Sequence, residues 1–270
     1  MKKSGALLCF AGSVGLLAAC GTDESAEDVL IQSAETMEEA DSYRADSIID
    51  QQIEAQGETM NIHAESSMNI TNDPMAFFQE TTMTMEEMDD TMAYNSYFHS
   101  EDGFYMEDPM TGEWMKLPDD SMNDMLSMAE AQTSPEQQLE QLRDYVSDVD
   151  MEEIDDEYVI HFSGEEIDAE ELLESTGGAG IDGFDEMMMM MENIDFEDFA
   201  YTVHINKDTY YQTRGVMDIT MSMEMMGEKA VMQQSMDMNM YDFNEVDPIE
   251  IPQDVLDNAE EVDDAGMGGM

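Results

Sequence analysis

The chain sets 66 Asp and Glu against eight Lys and Arg, a formal charge of −58 at pH 7. Any fold must leave nearly all of those carboxylates in water, because burying an unpaired charge is prohibitive. The apolar side has to be assembled from little. Leu, Ile, Val and Phe supply 48 of the 270 residues, about 18%, and with this net charge such a share usually leaves a chain disordered. The 32 methionines decide the matter. If they recur at helix and strand periods they restore the missing apolar surface and the chain folds. The same charge excludes nucleic acid as a partner, since one polyanion repels another.

The N-terminus reads as an export signal. Lys2 and Lys3 precede an apolar run from Ala6 to Ala19, too short for a spanning helix. The run ends Leu17-Ala18-Ala19-Cys20, followed by the polar Gly21-Thr22-Asp23-Glu24. That tetrapeptide resembles the lipobox of bacterial lipoproteins. The resemblance implies cleavage before Cys20 and two acyl chains on it, enough for stable anchoring in a membrane. Cys9 leaves with the signal and Cys20 is consumed, so the mature chain has neither free thiol nor disulfide. The expected division is 1–19 signal, 20–25 lipidated tether, 26–258 one domain, and 259–270 an acidic, Gly-rich, disordered tail.

Without the signal, Arg44, Lys116, Arg143, Lys207, Arg214 and Lys229 face all 66 acids, about −60. Self-repulsion of that size strains a fold in dilute buffer, whereas molar salt shortens the Debye length to about 3 Å. The chain therefore reads as halophilic or salt-tolerant. Specific binding of Ca²⁺ is the rival account of the acids, but no segment matches an EF-hand loop.

Ser25 can cap a helix opening Ala26-Glu27-Asp28, with Leu30, Ser33, Ala34 and Met37 as its apolar stripe. The period then becomes two. Tyr43, Ala45, Ser47, Ile49 and Ile53 share one face, as do Met60, Ile62, Ala64, Met68 and Ile70 after Gly57. Asn72-Asp73-Pro74 marks a turn before a run ending in Met83 and Met85, and Met92, Tyr94 and Phe98 follow. Glu101-Asp102-Gly103 and Asp108 to Gly112 punctuate two short strands, Phe104 to Met106 and Trp114 to Leu117. Helices are expected from Asp119 (Met122, Met125, Leu126, Ala129), from Ser134-Pro135 (Leu139, Leu142, Val146), and from Asp168 to Ser175. Another is expected around Phe184, Met187, Met188 and Met191. Between them Tyr158, Ile160 and Phe162 form a strand. The last third is β, with Phe199, Tyr201, Val203 and Ile205, then Met217, Ile219, Met221, Met223 and Met225, then Met232, Met236, Met238 and Met240. Asp247-Pro248 and Pro252 close the sheet. Clean alternation is the antiparallel pattern, one face buried and one wet. The fold class is α+β in one domain, helices covering the sheet.

The methionine sets are the candidate site. Thioethers at period two could bind Cu(I), but none of the sets includes His or Cys, so they read as an apolar face. Met is flexible and polarizable, suited to lining a cavity for an irregular ligand. The candidate lining comprises Met60, Ile62, Met68, Met83, Met85, Met187, Met188, Met191 and the strand sets from Met217 to Met240. His63, His99, His161 and His204 are scattered on strands and read as surface residues rather than metal ligands. Gly177-Gly178-Ala179-Gly180 lacks the Lys of a phosphate loop, and no nucleophile elbow supports a catalytic triad. Trp114 reads as hairpin packing. No catalytic residue, cofactor or metal is expected, and the chain is not read as an enzyme.

The N-terminal helix ending in Ser42-Tyr43, the segment Phe104-Tyr105-Met106-Glu107-Asp108-Pro109-Met110-Thr111-Gly112-Glu113-Trp114-Met115-Lys116-Leu117, the helix from Pro135 and the C-terminal Tyr241 to Pro252 resemble a family of uncharacterised Gram-positive surface lipoproteins. That family is similar in layout to the LolA-like and LppX/LprG-like lipid-carrier lipoproteins. The resemblance implies a strongly curved antiparallel sheet, an open half-barrel, with helices on its concave side and room there for acyl chains. The expected function is binding or carriage of a lipid or other apolar ligand by a monomeric, membrane-anchored, extracytoplasmic lipoprotein. The alternatives are a non-carrying structural or interaction role in the envelope, and a Met-rich Cu(I) binder.

Overall fold

The computed structural model describes residues 24–85, 90–118, 148–167, 194–225 and 228–261. They form one sheet of twelve strands in the order β12-β6-β5-β4-β3-β2-β1-β11-β10-β9-β8-β7. The strands are β1 (Ser42–Ala55), β2 (Glu58–Asn72), β3 (Met75–Met85), β4 (Asp90–His99), β5 (Gly103–Glu107) and β6 (Trp114–Lys116), then β7 (Asp148–Ile154), β8 (Glu157–Ile167), β9 (Ile194–Asn206), β10 (Gln212–Met225), β11 (Glu228–Tyr241) and β12 (Glu260–Glu261). All pairings are antiparallel except β12 on β6. β7 and β12 stand at the two edges, so the sheet is open. Register shifts at Gln212/Arg214 and Thr220/Met221 bend the β9–β10 pair.

The first helix, α1 (Ala26–Glu38), opens with a reciprocal cap. The Asp28 amide donates to Ser25 Oγ at 3.2 Å, and the Ser25 amide donates to Asp28 Oδ2 at 3.3 Å. The Ser25 hydroxyl also holds the Asp28 carboxyl below its usual range. Its buried residues are Val29 and Ser33; Ser33 belongs to the stripe read in the sequence, and Val29 lies one step round from Leu30. Val29 packs on Tyr158, Ile160, Phe162, Val203 and Ile205, where Ile160 and Ile205 are wholly buried. This is the densest part of the core.

Three elements depart from expectation. β7 precedes β8 as a separate strand, because its acids at Asp148, Asp150, Glu152 and Glu153 mask the alternation of Val149 and Met151. A second helix, α2 (Gln253–Asn258), follows Pro252, where the sheet was expected to close. Glu260–Glu261, read as tail, pair with Met115 and Lys116 as β12. The two described helices also lie on opposite faces. α1 covers the face carrying Ile160 and Ile205. α2 sets Val255 and Leu256 against Tyr97, Tyr105 and Trp114, which the register places on the other face. The helices expected over 119–129, 134–146, 168–175 and 184–191 lie outside the described residues, as do Cys20 and the signal.

Candidate functional site: the methionine face

Residues directly opposite in an antiparallel pair share a face, so the register can be followed across the sheet. One row runs Met240–Ala45–Met68–Gln79–Ser96–Met106–Met115. The next runs Val203–Gly215–Met238–Ser47–Ser66–Thr81–Tyr94. A third runs Tyr201–Met217–Met236–Ile49–Ala64–Met83–Met92. Met221 faces Met232, Ile219 faces Gln234, and Ile62 faces Met85. Every strand methionine with a described side chain falls on this one face. Met60, Ile62, Met68, Met83, Met85, Met217, Ile219, Met221, Met223, Met232, Met236, Met238 and Met240 are brought together there. Met92, Met106, Met115 and Met151 join them. Their membership follows from the turns at Asn72–Pro74 and Glu101–Gly103, which fix the register between runs. Met225 ends β10 with its side chain undescribed, and Met187, Met188 and Met191 lie outside the described residues.

Under α1 this face is sealed. Across its middle strands the methionines are only half-buried, Met240 being the most enclosed at 9% exposure. Small residues make the floor between them. At Gly215 the space a Cβ would take is closed by the Tyr201 hydroxyl, 3.1 Å away, which accepts from Gln212 Nε2 at 2.8 Å. A few polar groups share the floor. Ser47 and Ser66 hydroxyls are 2.8 Å apart, and Gln51 Nε2 donates to Met232 Sδ at 2.8 Å and Gln234 Oε1 at 3.4 Å. Thr81 Oγ1, in the same row as Ser47 and Ser66, is buried without a hydrogen-bond partner.

The other face is the wet one. It carries Asp46, Asp50, Glu65, Glu80, Asp218 and Asp237, and all four histidines. His63 lies 2.7 Å from Asp50, which raises its pKa, and His204 lies 2.9 Å from Glu157. His99 sits by Asp102 at 3.3 Å and His161 by Thr202 at 2.9 Å. A hollow of about 650 Å³ over β1–β5 is lined by Asp46, Glu65, Glu80 and Glu107 with Ser67, Thr82 and Asn95. Among the described residues no three His, Cys, Asp or Glu converge to hold a metal ion. None of the described helices is long and apolar enough to cross a membrane.

The molecule is thus an open, almost wholly antiparallel β-sheet protein with one methionine face and one acidic face. It belongs to a family of unknown function, DUF6612, whose model matches residues 25–260. No protein of curated function matches its sequence. Several solved structures resemble it loosely. A chain from Vibrio parahaemolyticus, described as an outer membrane lipoprotein-sorting protein domain, is 9% identical. The match covers 85% of this chain and 99% of that one, at a TM-score of 0.29. A DUF1329 family protein from Desulfovibrio piger is 9% identical over 83% and 93% of the two chains, TM-score 0.26. A β-barrel-like DUF1849 protein from Brucella abortus is 8% identical over 74% and 98%, TM-score 0.23. Superpositions this loose say nothing about a shared site.

Proposed function

We propose that this protein is a lipoprotein anchored through Cys20 to the extracytoplasmic side of a membrane, and that it holds a lipid or other apolar ligand on its methionine face. One observation carries the reading: the register gathers every described strand methionine onto a single face and leaves the middle of it half-buried. A face built only to be a core is normally packed tight with branched side chains in fixed rotamers. Thioethers on unbranched stems instead re-pack around an irregular guest. The Ser47–Ser66–Thr81 row adds the few polar groups that orient a ligand in a mostly apolar site. Binding is non-covalent, with no reaction.

The test is to purify the full-length protein from its own membrane and extract it with organic solvent for mass spectrometry. A stoichiometric apolar ligand is expected. It should be lost from Met217→Gln/Met236→Gln, which polarises one cross-strand pair. Protein free of ligand, with the methionine face closed in solution, would leave the non-carrying envelope role instead.

A further inference from the structure

The strands of the sheet end in two rims. One carries the β7–β8 turn at Asp155-Asp156, the β9–β10 turn at Lys207 to Tyr211, the end of β11 at Tyr241–Asn244 and the turns at Asn72–Pro74 and Ser100–Asp102. The other carries the β1–β2 turn at Gln56-Gly57. Strands of 13 to 15 residues separate them, about 45 Å. The start of the described chain is fixed to the first rim. Tyr158 donates to Glu24 Oε2 at 2.7 Å, and Tyr210 donates to Glu24 Oε1 at 3.1 Å. α1 then crosses the sheet beside that rim and delivers the chain to β1 at Ser42.

We propose that this rim is the surface that faces the bilayer. The inference rests on the lipid anchor at Cys20. Only Gly21, Thr22 and Asp23 stand between that residue and Glu24, so the backbone at Glu24 lies at most about 14 Å from that of the acylated cysteine. A tether so short holds the domain by one end. The composition of the rim fits headgroups. Tyr43 stacks on Phe243 at 5.9 Å and Tyr211 on Phe243 at 4.1 Å, and Tyr210 lies beside Glu24. Tyr is the side chain enriched where an apolar ring must end in water. Of the five basic residues described, Arg44, Lys116, Lys207 and Arg214 lie at or near this rim, and Lys229 lies at the far end. They do not make it cationic, since Asp155, Asp156, Asp208 and Asp242 sit among them. The tether sets the orientation, and the cations lessen the repulsion from anionic lipid.

Because the mature chain has no free thiol, one engineered cysteine can be labelled cleanly. The lipoprotein made with its own signal, carrying Asp208→Cys on the near rim or Glu58→Cys on the far one, is labelled with a fluorophore. It is then placed in phosphatidylcholine–phosphatidylglycerol vesicles at molar salt. Headgroup-spin-labelled lipid should quench the label at 208 several-fold more than the label at 58. Adding Glu24→Ala should shrink that ratio toward one. Equal quenching at both positions in acylated protein overturns the orientation and leaves the anchor standing. Intact mass showing an unmodified Cys20 overturns both.

Discussion

Five side chains show how differently single residues bear on this fold. Ile160 and Ile205 are fully enclosed beneath α1. Truncating either to Ala leaves a void in the tightest part of the core and should cost about 2–5 kcal/mol, read as a lower urea midpoint at unchanged slope. Thr81 is the opposite case. Its hydroxyl has given up water and found no partner, a loss of about 1–3 kcal/mol. Thr81→Val keeps the shape, and should raise the stability of the ligand-free protein by about 1 kcal/mol while weakening its hold on a ligand with a polar head. Arg214 and Asp237 concern pH. Two hydrogen bonds, 2.9 and 2.6 Å, hold the Asp237 carboxyl below its usual range. A depressed carboxylate stabilises fully above its unfolded pKa, and the contribution is lost as pH falls toward the folded value. The pair is partly exposed, so about 1 kcal/mol is at stake. Asp237→Asn should lower the urea midpoint at pH 7 and leave it nearly unchanged near pH 2.

Elements were legible where a local rule governed them. Ser25 announces α1, and Ser25→Ala should cost about 1 kcal/mol, with faster amide exchange confined to the first turn. β1 to β6 follow from alternation and from turn residues at Gly57, Asn72–Pro74, Gly103 and Gly112. The strand methionines of the candidate lining were read as separate sets. That they share one face depends on register, which no single run contains. β7 was hidden because four acids on seven residues swamp the alternation. α2 and β12 were hidden because neither is stable alone: six residues of helix and two of strand exist only against Tyr105, Trp114 and β6. The acidic hollow over β1–β5 was equally unreadable, since Asp46, Glu65, Glu80 and Glu107 come from four strands.

At the scale of the whole molecule the charge is the controlling quantity. The chain carries a formal net charge of −58, and its repulsion is absent from no contact yet belongs to none. Raising NaCl from about 0.1 M to about 2 M cuts the screening length roughly fourfold. The melting temperature should climb by about 2–4 °C for each kcal/mol of repulsion removed. A flat profile in calorimetry would show that the charges are already neutralised by bound cations.

The seam between β1 and β11 has a consequence for how the chain is made. Asp46 and Tyr241, joined across it at 2.9 Å, are 195 residues apart. As the polypeptide emerges N-terminus first, β1 can pair with β2 at once through a two-residue turn. Its second edge must wait until nearly the whole chain has been delivered. For that interval a fourteen-residue strand, Ser42–Ala55, offers bare amides and carbonyls to any neighbour. Asp46, Asp50 and Glu54, spaced along it, are the guards against pairing with the wrong one. The charge that makes the finished protein hard to hold together is what keeps the unfinished one apart from its copies.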